Sequence, residues 1–163
     1  MKTDYIKNVQ TLFAHYKLLG ERAINQVEEK RLFWTFNNDS NSIAMIVQHL
    51  HGNMISRFTN FFEEDGEKAW RNRDLEFEQV FTSRAEMMDA WEKGWRCFYD
   101  VLYELHDFDL DRTVYIRGEA HSVMEAINRQ LAHYAYHIGQ IVYLAKMLKE
   151  HEWQSLSIPK RKP

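Results

Sequence analysis

A chain of 163 residues is long enough to bury a substantial core, and it fits one domain spanning residues 1–163. Its 21 basic and 24 acidic residues give a net charge of −3, and the only basic run is the tail at 159–163, which disfavours nucleic acid as a partner. No run of 18 apolar residues and no signal-peptide core is present, so we expect a cytoplasmic protein without a membrane partner.

Two long helices are predicted in the first part of the chain. Apolar residues recur at intervals of three and four from residue 4 to about residue 29, which is the pattern of an amphipathic helix. A loop rich in cap-forming residues follows at 35–42. The same apolar spacing then predicts a second helix from Ser42 to about Glu64.

Residues 65–82 have no sustained period and are long for a structureless connection, so they predict a crossover. We expect its apolar residues to anchor it to the core: Trp70, Leu75, Phe77 and Phe81. The stretch WRNRDLEFE at 70–78 has two interpretations. It is either a binding loop or a solvated crossover with salt bridges.

The second half of the chain predicts two more helices and a short strand. Ser83 and Glu86 have the spacing of a capping box, which opens a third helix to about His106. The β-type run at 113–116, followed by a glycine, indicates a small strand or hairpin.

A second capping-box pattern, Ser122 with Glu125, opens a fourth helix to about Glu150. Four long helices with long connections predict an all-α fold, a four-helix bundle with crossovers. No internal repeat and no second domain is evident in the sequence.

The histidines are the main candidates for chemistry, because phosphate loops, dinucleotide fingerprints and nucleophile elbows are absent. His133 and His137 are four residues apart, so they stack on one face of the fourth helix, at the margin of its apolar side. Imidazoles that point inward need partners, since an unsatisfied buried polar group costs about 1–3 kcal/mol. A divalent metal would satisfy them if another helix supplied a third ligand.

His49 is the best-placed third ligand, because it lies at the edge of the apolar stripe of the second helix. His51 points about 200° away from it and cannot serve the same internal site. The alternative is that these histidines belong to the core or its rim and hydrogen-bond to tyrosines. Tyr134, which points towards the core, is then the better candidate partner.

Three stretches of the chain resemble the DinB/YfiT-like superfamily. They are SIAMIVQHLHGN, DGEKAWRNRDLEF and EAINRQLAHYAYHIGQIVYLAKML, which begin at residues 42, 65 and 125. More closely, they are similar to a bacterial subgroup known only as a domain of unknown function. The likeness extends over nearly the whole chain and keeps the order of the motifs.

The resemblance implies a four-helix bundle that is commonly dimeric and binds a divalent metal such as zinc or nickel through three histidines. Carried over by motif, the ligands correspond to His49, His133 and His137. Some members of the superfamily are transferases or isomerases that use a low-molecular-weight thiol such as bacillithiol, mycothiol or glutathione.

Two functions remain open at this stage. The first is a metal-dependent enzyme, a thiol-dependent transferase or a hydrolase, that acts on a small electrophilic substrate. The second is a non-catalytic metal-binding or structural module, related to stress responses. The sequence pattern identifies no carboxylate as a general base.

Overall fold

The computed structural model describes residues 4–78 and 81–159. The long helices in these residues are α1 (Tyr5–Ile24), α2 (Ile43–Phe58), α3 (Arg84–Glu104) and α4 (Val123–Lys149). The two strands are β1 (Thr113–Ile116) and β2 (Glu119–Ser122), which form an antiparallel hairpin. Short 3-10 turns lie at Glu29–Phe33, Asp74–Phe77, Asp107–Asp109 and Glu150–Glu152. None of the described helices combines the length and the apolar character that crossing a bilayer requires.

Serine side chains begin three of the four helices, as predicted. The Ser42 hydroxyl accepts a hydrogen bond from the backbone N–H of Met45, at 3.1 Å. Ser122 accepts from the N–H of Glu125, whose carboxylate in turn accepts from the N–H of Ser122, at 3.1 and 2.7 Å. Ser83 accepts from the N–H of Glu86 at 3.3 Å, while the Glu86 carboxylate accepts from Thr82 rather than from Ser83. These bonds satisfy amide groups that have no partner inside the helix.

The first two helices end earlier than their apolar patterns predict. The α1 helix stops at Ile24 rather than near residue 29. The next backbone hydrogen bonds join residues three apart instead of four, and Val27 is buried in the core. The Arg84 guanidinium also donates to the carbonyl oxygens of Ile24 and Val27 at this helix end. The α2 helix stops at Phe58 rather than Glu64, since Asn60 adopts a positive φ of 49°.

All four helices contribute to one apolar core, an arrangement compatible with the predicted bundle. Its centre consists of rings from α1, α3 and α4 with exposures of 1% or less: Phe13, Trp91, Trp95, Phe98 and Tyr134. The rings meet mostly edge to face, as aromatic quadrupoles favour. The Tyr134 hydroxyl donates to Asn53 Oδ1 on α2, at 3.3 Å, and so ties α4 to the helix that carries His49.

The crossover packs mainly through charged side chains, and only part of its predicted apolar anchoring is present: Phe81 packs against the core, and Phe77 stacks on His49. Trp70 and Leu75 are 60% and 47% exposed, so the prediction that they anchor the crossover is wrong. Phe77 and Phe81 are half-buried. Lys68 and Glu76 are buried instead, and each makes at least one ion pair. Paired charges can replace apolar anchors because each partner compensates the desolvation of the other.

The crossover also holds the hairpin turn. Arg117 and Gly118 form a two-residue loop with φ of 58° and 76°, the positive values that a type I′ turn requires. The Asp65 carboxylate accepts hydrogen bonds from both of their N–H groups, at 2.8 and 2.7 Å. The turn is therefore fixed against the start of the crossover.

Candidate metal centre

Three histidines from two helices lie close together. His49 comes from α2, and His133 and His137 come from successive turns of α4. Each residue offers one nitrogen to a group in which all ligand atoms lie within 4.8 Å of one another. His49 and His137 are 5% and 7% exposed, while His133 is half-buried. The three residues predicted from the sequence are thus brought to one place, in an arrangement that could hold a metal ion.

Hydrogen bonds orient two of the three rings. The Nδ1–H of His49 donates to Glu76 Oε2 at 2.9 Å, and Nδ1–H of His137 donates to Gln140 Oε1 at 2.8 Å. A neutral imidazole has one N–H, so both bonds leave the lone pair on Nε2. His49 Nε2 lies 3.1 Å from His133 Nε2. His137 Nε2 is buried without a hydrogen-bond partner in the described residues.

The environment keeps the α4 histidines neutral at physiological pH. Burial, followed by the neighbouring imidazoles of His137 and His49, lowers the pKa of His133 to about 3. Burial also lowers the pKa of His137 to about 4, with His49 as the second cause. Neutral imidazoles are the form that binds transition metals.

The residues fit a divalent ion. The three ligand nitrogens lie within 4.8 Å of one another, and the lone pair on His137 Nε2 is buried without a partner in the described residues. Such a lone pair is costly to leave unsatisfied. No fourth His, Cys, Asp or Glu of residues 4–78 and 81–159 joins the group. Three protein ligands are typical of zinc sites that keep a position open.

Tyrosines do not satisfy these histidines, as the alternative interpretation of the sequence had required. The Tyr134 hydroxyl binds Asn53, and Tyr136 is 53% exposed and contacts His137 only through its ring, with centroids 4.2 Å apart. His51 lies on the α3 side of α2, near Ala90, and does not join the group.

Glu76 is a functional residue that the sequence analysis missed. Its carboxylate accepts from His49 and also from Arg71, whose Nε and Nη2 lie 2.7 and 2.8 Å from the two oxygens. Burial alone would raise the pKa of Glu76, but the bonds from His49 and Arg71 outweigh it, so the pKa is lowered. An ionised carboxylate behind a histidine fixes its tautomer and makes it a better metal ligand. The crossover is therefore part of the site.

Gly52 is the sequence feature that could have indicated the contact between α2 and Glu76. It stands in the interior of α2, where glycine is unfavourable unless something approaches closely. A Cβ at this position would lie 2.7 Å from Cδ of Glu76. The glycine makes room for the carboxylate that orients His49.

Gly52→Ala is expected to weaken metal binding about tenfold, because the new methyl group displaces Glu76 from His49. The measurement is a competition titration against a chromogenic chelator. Gly139→Ala on α4 is the matched control, since a Cβ there meets nothing within 4 Å. We expect it to stabilise the fold by about 0.5–1 kcal/mol with unchanged metal affinity. Equal affinities for the two variants would contradict the role given to Glu76.

The site opens into a cavity of about 340 Å³, which His49 and His133 both line. This volume is at the lower end of the range for small-molecule sites, roughly 300–1,000 Å³. A small molecule in the cavity would reach the two imidazoles.

Comparison with known protein families identifies the family of the chain. The model of a family described as "Protein of unknown function (DUF1572)" matches residues 1–162. Comparison with the curated proteins and with the solved structures found no match. What the chain does must therefore be inferred from its own residues.

Proposed function

The chain belongs to the DUF1572 family, and we propose that it is a metal-dependent enzyme whose divalent ion is held by His49, His133 and His137. The observation that carries this proposal is the convergence of three imidazole nitrogens beside an accessible cavity. The resemblance to the DinB/YfiT-like superfamily supports it and favours zinc or nickel, a four-helix bundle and a homodimer.

We propose transfer of a low-molecular-weight thiol to a small electrophile, or hydrolysis of that electrophile, as the reaction. A divalent ion would supply Lewis acidity that lowers the pKa of a thiol or water. The chain's own residues would hold the ion and orient its ligands. Glu76 is a positioning residue rather than a base, because both of its oxygens already accept hydrogen bonds from Arg71 and His49. His49 and His133 face the cavity that would admit the substrate.

Two features favour an enzyme over a structural metal module. A structural zinc site is closed by four protein ligands, whereas this group supplies three from the described residues. The apolar core also packs the four helices against each other without using the histidines. The fold therefore has a source of stability that does not depend on the metal.

The proposal is tested by metal analysis and by thiol-transfer assays. We expect about one divalent ion per chain, as a three-histidine site requires. Transfer of glutathione, bacillithiol or mycothiol to an electrophile such as chlorodinitrobenzene should cease with a chelator and return with metal. The chelated protein should keep its helical circular dichroism and a cooperative thermal transition.

The opposite pattern would identify a structural module. A structural site contributes its binding free energy to folding, so chelation would remove the helical signal itself. Metal-loaded protein that is inert with every thiol and electrophile, and that unfolds on chelation, would overturn the enzyme proposal.

A further inference from the structure

The cavity beside the histidines is lined by arginines. Five of them line it, and no aspartate or glutamate among the described residues does: Arg57, Arg71, Arg73, Arg117 and Arg129. They come from α2, the crossover, the hairpin turn and α4. The chain has a net charge of −3, yet four separate segments place arginines around this cavity.

The nearby carboxylates do not neutralise this group. Glu67 pairs with Arg57 and Arg117, at 3.0 and 3.1 Å, and Glu76 pairs with Arg71 at 2.7 Å. Arg73 and Arg129 make no ion pair within the described residues. Asp65, which accepts from the N–H groups of Arg117 and Gly118, is a third nearby carboxylate. Five guanidinium groups against three carboxylates leave a net charge of +2 around the cavity.

The lining also contains buried polar atoms without partners. Arg57 is 5% exposed and Gln130 is 2% exposed, and both line the cavity. Arg57 Nε and Gln130 Oε1 are buried and have no hydrogen-bond partner in the described residues. Such groups normally find partners, and the Arg57 Nε–H is a donor that an anionic oxygen in the cavity would satisfy.

The backbone and side chain of Arg117 are fixed by several hydrogen bonds. Its backbone has a positive φ of 58°, which is uncommon for a residue with a side chain. The Asp65 carboxylate holds it there through the N–H groups of Arg117 and Gly118, and Arg117 Nε binds Glu67. The hairpin turn thus presents a guanidinium to the cavity.

We propose that the substrate of this centre carries an anionic group, a carboxylate or a phosphate, that the arginines bind while its reacting end lies at His49 and His133. This inference rests on the proposed metal-dependent function. Guanidinium groups match the planar, paired oxygens of such anions. Imidazole ligands bring no negative charge, so a divalent ion held by them would add to the attraction for an anion. The volume of about 340 Å³ selects a small molecule rather than a peptide or nucleic acid.

The test uses the full-length protein, metal-free and metal-loaded, with succinate, inorganic phosphate and neutral succinamide as probes. Arg73→Gln with Arg129→Gln removes the two cavity cations that make no ion pair. Arg22→Gln with Lys30→Gln removes the same charge from exposed positions outside the cavity. Calorimetry at constant low ionic strength gives the affinities, and the tighter of the two anions identifies the preferred group.

We expect the anions, but not succinamide, to bind wild-type protein with or without metal. The double cavity variant should bind them about tenfold more weakly or worse, and the control pair should bind as wild type does. The proposal is overturned if the anions bind only the metal-loaded protein and the cavity variant binds them equally well, because the metal would then be the anion's only partner. It is also overturned if succinate and phosphate bind no better than succinamide.

Metal binding is read separately, by chelator competition on the same samples. Loss of metal binding with intact arginine-dependent anion binding would refute the metal-dependent function and leave the anion site. Intact metal binding without anion binding would refute the anion site alone.

Discussion

His133→Ala is expected to lower the affinity for a divalent ion by more than about 100-fold. This effect is larger than that of losing a group that hydrogen-bonds to a ligating histidine. The substitution removes one of three converging nitrogens and leaves His49 Nε2 without its neighbour at 3.1 Å. His133 is half-buried, so the variant should fold and allow a direct comparison. Competition titration and metal analysis after dialysis measure the effect.

His51→Ala is the matched control. It lies two residues after His49 on α2, is also half-buried, and is directed away from the group. We expect it to bind metal as wild type does. Wild-type affinity in both His133→Ala and His137→Ala would exclude this group as the metal site.

Glu76→Gln is expected to weaken metal binding about 10- to 100-fold, the range typical of groups that orient a ligating histidine. The amide has the shape of the carboxylate but loses its charge, and its NH₂ group opposes a donor of His49 or Arg71. A loss of about 1–3 kcal/mol in the free energy of unfolding should accompany it, since Arg71 is buried. Chelator competition and chemical denaturation measure the two effects.

Glu67→Gln distinguishes loss of the hydrogen bond that orients His49 from a general loss of negative charge near the cavity. Glu67 pairs with Arg57 and Arg117 and lies 3.6 Å from Arg71, but it makes no hydrogen bond to a histidine of the site. Both variants remove one negative charge near the cavity. If Glu67→Gln weakened metal binding as much as Glu76→Gln, the hydrogen bond to His49 would not be the cause.

Helical periodicity was sufficient to predict which three histidines lie close together. A spacing of four residues places His133 and His137 on one face, and the apolar stripe of α2 brings His49 towards the same interior. The serine caps were predictable for a similar reason, because hydroxyl and carboxylate reach specific amides within one turn. Each of these features depends on residues close together in the chain.

The role of Glu76 depends on contacts that periodicity does not encode. The segment has no sustained period, and its apolar residues suggested that Trp70 and Leu75 face inward. A 3-10 turn at Asp74–Phe77 instead directs Glu76 inward, where Arg71 and His49 compensate its charge. Two apolar contacts were thus outweighed by a charge network that involves α2, a partner distant in sequence.

Because Glu76 lies on a connecting segment, the order of that segment would influence the ion affinity of the proposed site. A carboxylate on a helix would be held by the core, whereas this one is in place only while the segment around the 3-10 turn is ordered. In the proposed site, ion binding and ordering of the segment would be thermodynamically linked, and each would favour the other by the same free energy. A change far from the histidines, such as loosening the contact between Asp65 and the hairpin turn, would alter the ion affinity without touching a ligand.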